Sequence, residues 1–183
     1  MEVIRKQKIE TTDYSIGDQI EVRLEGAVNG TYTATVHRID ENGILFMFDD
    51  CIAERKMNAR QTNKGGYENS YLKKWLSNDV LPSFHDSIRE KIIELSIPSY
   101  EMMFGREYTS YFEIEKMDDE QLELMKNRKN RIALYKNYPQ WYWLKNRIED
   151  SPSDFANVGH AGNAPCNVAS YVSGVRPVFL IKQ

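Results

Sequence analysis

The sequence predicts an α+β fold, and three observations predict it. Residues 17–48 alternate apolar and polar side chains, residues 72–95 carry apolar side chains at helical spacing, and residues 175–181 form an apolar strand near the end. A chain of 183 residues has the length of one domain, so residues 17–183 read as a single core behind a polar N-terminal arm, residues 1–16. At this size roughly 70% of the unfolded surface is buried on folding, enough for stability without disulfide or metal staples.

The strands come first. Ile20, Val22 and Leu24 alternate with Gln19, Glu21, Arg23 and Glu25, as in a half-buried strand. Asn29-Gly30 offers a turn that tolerates positive φ. The next run places Tyr32, Ala34 and Val36 on one face, and after Asn42-Gly43 the run Ile44-Leu45-Phe46-Met47-Phe48 is apolar on both faces, as in a central strand. Three antiparallel strands in a meander account for this stretch.

Helical spacing follows. Leu72, Trp75 and Leu76 sit at i, i+3 and i+4, with Lys73, Lys74 and Asn78 outward and Pro82 as the stop. Ser83, with Asp86 three residues on, reads as the cap of a second helix whose stripe is Phe84, Ile88, Ile92 and Leu95. Residues 99–104 read as a short capped turn stopped by Gly105, and a further helix is expected from Asp118 through Leu122 and Met125. Residues 137–174 are rich in Asn, Ser, Gly and Pro around Trp141-Tyr142-Trp143-Leu144, and read as a long irregular loop region with short strands at most. The terminal strand carries Pro177 at an edge or near its start.

Composition excludes several classes of function. A formal net charge of −3, from 24 basic and 27 acidic residues, gives no reason to expect nucleic acid or an anionic membrane as partner. The basic run at residues 126–131 has no interleaved aromatic to stack bases, and reads as a solvated helix C-terminus. Cys51 and Cys166 are isolated and make neither a disulfide framework nor a zinc knuckle. With no apolar signal region and no membrane-length apolar run, the chain is expected to be cytoplasmic as synthesised.

No catalytic constellation is visible. Ser83, His85 and Asp86 hold the residue types of a hydrolytic triad, but neighbours on one helical turn cannot converge as triad members must. Asp49-Asp50 lacks a second acidic pair and reads as a turn or cap, and Asp118-Asp119-Glu120 as a helix start. His160, flanked by Gly159 and Gly162, has no second His or Cys at ligand spacing. The chain is therefore expected to be metal-independent, without a cofactor, and not an enzyme.

Three stretches together resemble a known family. They are residues 70–92, beginning Ser70-Tyr71-Leu72-Lys73-Lys74-Trp75-Leu76; residues 97–105; and residues 142–179, with Trp143-Leu144-Lys145 and Gly174-Val175-Arg176-Pro177 as the specific pair. In this order they resemble the domain-of-unknown-function family 6273, common in bacteria and their phages. That family is similar to the C-type-lectin-like fold, shared by phage tropism determinants, retroelement variable proteins and formylglycine-generating enzymes. The resemblance implies a small twisted antiparallel sheet with flanking helices and a ligand surface in the loops before the last strand. A phage or prophage setting, with the protein on a virion, stays open beside a bacterial one. The calcium-ligating motifs of sugar-binding lectins and the paired C-terminal cysteines of formylglycine-generating enzymes are missing here.

The reading that follows is a non-catalytic ligand-binding or assembly module. Its alternatives are a structural subunit of a phage particle and an enzyme with a site near His160. Amides and amphipathic rings suit adaptable recognition, so Tyr142, Asn157, His160, Asn163, Asn167 and Tyr171 are the expected binding residues. Tyr142 is expected to be the exposed member of the aromatic triplet, because the resemblance places Trp143 in the core. Trp75, Trp143 and Arg176 are expected to be structural, Arg176 because the resembling fold buries an arginine before its last strand. The partner class stays open between a protein and a glycan, and so does self-association into a homo-oligomer.

Overall fold

A computed structural model describes residues 13–107 and 111–182 as a mixed α+β fold, mostly antiparallel sheet with few helices. The meander forms as its alternation predicts. β1 (Gln19–Leu24), β2 (Gly30–Asp40) and β3 (Gly43–Phe48) pair in turn, and every residue of β3 is buried. The expected arm lies outside the described residues as far as residue 12. Beyond it, Tyr14 sets its ring edge-on to Phe46, 5.5 Å between centroids.

Two further strands complete this sheet. β12 (Val178–Ile181) lies between β3 and β5 (Ile92–Ser96), giving the order β1-β2-β3-β12-β5. Pro177 stands at the entry to β12, and its carbonyl accepts from the Phe48 amide at 3.0 Å. β5 overturns the helix expected over residues 83–95. Only α2 (Asp86–Arg89) is helical there, and His85, not Ser83, caps it. Ser83 instead donates its hydroxyl back to the Asp79 carbonyl at 2.7 Å, closing the preceding segment. Ile92 and Leu95 fit the helical period while Ile93 and Leu95 fit the strand period, and pairing with β12 decides for strand.

The helical segment before it begins as read. Ser70 accepts from the Lys73 amide and caps α1 (Tyr71–Trp75), which runs on through a π turn, Leu76–Val80, and a 3-10 turn that ends around Pro82. α3 (Tyr100–Phe104) is capped by Ser99 and stopped by Gly105 at φ 79°, as its sequence predicts. The helix expected from Asp118 is absent; a 3-10 turn, Glu123–Lys126, stands at its end, and the Leu122 amide bonds the Met102 carbonyl instead of a helical partner. The basic run likewise forms a second 3-10 turn, Arg128–Arg131, with Arg131 buried under Phe104.

The largest correction concerns residues 137–174, which are strands and tight turns instead of long loops. β6 (Ala133–Tyr135) and β7 (Tyr138–Gln140) form a hairpin through Lys136 and Asn137, both at positive φ. β8 (Tyr142–Arg147), β9 (Asp154–Val158), β10 (Cys166–Val168) and β11 (Val172–Val175) then join β4 (Ala53–Lys56) in the order β10-β9-β8-β11-β4. β11 meets β8 in parallel through Gly174 and Tyr142. A Cβ on Gly174 would lie 2.6 Å from the Cys51 sulfur and 2.8 Å from the Trp141 carbonyl oxygen, so the crossing needs glycine.

Two apolar clusters share these strands. Phe46, Phe48 and Phe179 face the first, with Leu72, Leu76, Trp143, Phe155 and Val175. Leu45, Met47, Val178 and Leu180 face the second, with α3, Tyr142, Leu144, Ala156 and Val158. Alternation along β3, β12, β8 and β9 thus feeds both clusters. Buried amides pin the second sheet. Asn63 donates to the carbonyls of Ile148, Ser151 and Asp154 at 3.2, 2.6 and 3.1 Å. Asn146 accepts from the Tyr100 amide at 2.6 Å and donates to Glu101 and the Glu115 carbonyl.

Candidate functional site

The expected binding residues separate into buried and exposed groups. Tyr142 and Asn157 correct the expectation of a surface role, since both side chains are fully buried in strands. The Tyr142 hydroxyl donates to the Arg131 carbonyl at 2.6 Å and accepts from Arg176 at 3.1 Å; burial pushes its pKa up to about 12. Asn157 donates to the Ser173 hydroxyl at 3.2 Å, and its buried carbonyl oxygen has no partner among the described residues. Both faces of β8 are core because the strand lies between two clusters, Trp143 facing the first and Tyr142 the second.

His160 and Asn163 sit on an exposed turn closed by Gly159 N–H donating to the Asn163 carbonyl at 2.9 Å. Arg128 holds this turn by donating to the Ala161 carbonyl at 2.6 Å, and the His160 ring meets Trp141 edge-on at 5.7 Å. Asn167 is half-buried in β10, where its side chain accepts from the Val168 amide. Tyr171 is 55% exposed at the turn into β11. The structure therefore brings Trp141, His160 and Asn163 to one turn, while Asn157 and Tyr142 stay beneath the surface.

The three residues expected to be structural sit as follows. Trp143 is fully buried and donates its indole N–H to the Arg55 carbonyl at 2.8 Å. Arg176 is buried; it donates to the Phe48 carbonyl at 2.8 Å and to the Asn130 carbonyl and Tyr142 hydroxyl at 3.1 Å each. Trp75 is half-buried at the end of α1, with the Arg55 guanidinium 4.7 Å above its ring.

Trp75 also belongs to a groove of about 470 Å³, a volume within the range of ligand pockets. It runs between α1 and β4. Tyr71 and Trp75, at i and i+4, line it together with the buried Leu72. Arg55 and Lys56 come from β4, and Lys74, Asn78 and Asp79 from the helical segment. Lys74 lies 5.9 Å from the centre of the Tyr71 ring, so each aromatic of the groove carries a cation. The sequence offered one signal for this site, the i, i+4 pair of large aromatics beside a double lysine. Its β4 half has no signal, because nothing in the run Ala53-Glu54-Arg55-Lys56 says which helix will lie beside it.

Chemistry elsewhere is sparse. Among the described residues no group of three or more His, Cys, Asp or Glu is placed to hold a metal ion. Burial pushes the Cys51 thiol up to about 12, against a nucleophilic role at neutral pH. Burial, reinforced by the Arg176 charge, lowers His37 to about 4. Asp49 accepts from Thr35 and Gln19 and Asp50 from the Leu134 amide, all distant in sequence, which corrects the turn or cap expected there. No helix among the described residues is long and apolar enough to cross a membrane.

Residues 41–183 match the family described as a domain of unknown function, DUF6273. No curated protein and no solved structure matches the chain.

Proposed function

We propose that the chain, which belongs to the domain-of-unknown-function family DUF6273, is a non-catalytic binding module that seats its ligand in the α1–β4 groove. The observation that carries this reading is the composition of the groove: Tyr71, 62% exposed, with Trp75, Arg55 and Lys74 around a single concavity. Trp, Tyr and Arg are the residues that concentrate binding energy at interfaces, and here they are grouped. A C-type-lectin-like architecture fits the mixed sheet with its flanking helices and the last strand in a sheet interior. A phage or prophage origin, with the module on a particle, is the setting that the family resemblance favours. Against an active site at His160, its exposed ring touches Trp141 and makes no hydrogen bond with a described residue.

The test sets the two surfaces against each other. The immobilised protein is screened against panels of oligosaccharides and peptides, beside Tyr71→Ala/Lys74→Ala and His160→Ala/Asn163→Ala. Both pairs are exposed or half-exposed, and each should shift stability by less than about 1 kcal/mol. Loss of binding in the groove pair, with retention in the turn pair, is expected. The reverse pattern would move the site to the turn at residues 159–163.

A further inference from the structure

We infer that the ligand of the α1–β4 groove is an acidic peptide, recognised by its carboxylates through Arg55, Lys56 and Lys74; this rests on the groove being the binding site. Charge is the first argument. Arg23, Arg38, Arg89, Arg106 and Arg147 all have carboxylate partners, but Arg55, Lys56 and Lys74 form no ion pair with a described residue. They share the groove with one carboxylate, Asp79. A chain of net charge −3 thus gathers unpaired cations in one concavity, where a carboxylate ligand meets charge-assisted donors.

The rings sharpen this. Arg55 covers a face of Trp75 and Lys74 lies over Tyr71, so those faces are not free to stack a sugar or a base. Their role is to hold the cations in place, which reduces the side-chain freedom lost on binding. Arg55 is further fixed from behind, because its carbonyl is held by Trp143. Recognition therefore runs through the cationic heads.

A peptide suits the groove better than a nucleic acid. Polynucleotide binding draws on many phosphate contacts and on successive stacked bases, and three cations on an acidic chain, with a cation already over each of the two rings, supply few of either. β4, which brings Arg55 and Lys56, is the outermost strand of its sheet and pairs on one side with β11. An extended peptide can lie along such an edge while its carboxylates reach across to Lys74.

The experiment uses the full chain and fluorescence anisotropy with three labelled probes: a short Glu-Thr repeat peptide, its Gln-Thr counterpart and an oligothymidylate. The Glu-Thr peptide should bind, weaken as salt rises, and lose at least about tenfold in affinity to Arg55→Gln/Lys74→Gln. Lys182→Gln, an exposed cation outside the groove, should leave affinity unchanged. Melting curves confirm that the double variant folds, and Lys74→Gln alone, on an exposed side chain, gives a second reading. The inference is overturned if the Glu-Thr peptide fails to bind, binds the double variant equally, or is outcompeted by oligothymidylate. If the Gln-Thr peptide binds and Tyr71→Ala abolishes it, the groove stands as a binding site and the acidic ligand falls. If no probe or panel member depends on the groove, both fall.

Discussion

Residues 19–48 and residues 133–176 each build sheet, and they hold it by different means. In the meander the contacts are apolar. Phe46 stacks on Phe179 at 5.1 Å, and Phe48 packs against Phe84 and Phe179. The second sheet has apolar packing on both faces and adds single polar anchors such as Asn63, Asn146, Asn157 and Arg176, each bonded to residues tens of positions away in sequence or facing a neighbouring strand. Apolar alternation fixes a strand's register over its whole length at once. Polar anchors fix it at one point each, and each must find its own partner.

The contrast gives an order of effects. Phe46→Ala should cost the most, about 3–5 kcal/mol, since it empties a fully buried ring site that Phe179 and Tyr14 close. Urea unfolding measures it, and a loss under 1 kcal/mol would mean that the meander is not the stable part. Arg176→Ala should follow, on the order of 2–4 kcal/mol, because the Phe48 and Asn130 carbonyls and the Tyr142 hydroxyl all lose their donor. An unchanged melting temperature for this variant would show that the second sheet does not depend on its polar anchors.

His37 is where the meander departs from its own rule. It sits at the irregularity in the β2–β3 register, buried, with Nδ1 unpartnered among the described residues. Its folded pKa of about 4 lies below the ordinary 6.5, so the folded state keeps the ring neutral while the unfolded chain takes up a proton. Above pH 6.5 neither state is charged and stability is flat; as pH falls from there towards 4, stability is lost. Between pH 7 and pH 5 the loss should be about 2 kcal/mol. His37→Leu should remove that slope, and a slope that persists in the variant would assign it to carboxylates.

These two regions also explain what the sequence made legible. The meander could be read because Val22, Leu24, Val36, Phe46 and Phe48 repeat at period two, a local signal. Residues 137–174 could not, since their Asn and Ser residues look like loop formers until partners such as Ser173 for Asn157 and Glu101 for Asn146 are known. The same holds for β5, whose apolar positions fit two periods until β12 pairs with it. Of the groove, the helical half was accessible as an aromatic pair one turn apart, whereas Arg55 and Lys56 reach it by tertiary placement. Tyr142 was misplaced outward because a strand with core on both faces defeats the assumption of one wet side.

The central position of β12 bears on how the chain is made. Ribosomal synthesis delivers β3 and β5 long before residues 178–181, and until these emerge both neighbours present an open strand edge. The ring slot between Phe46, Phe48 and Phe84 also waits for Phe179. The nascent chain must therefore carry an unfinished sheet from the synthesis of β3 until residues 178–181 emerge. That interval is when chaperones are most needed and strand-edge misassembly is most available.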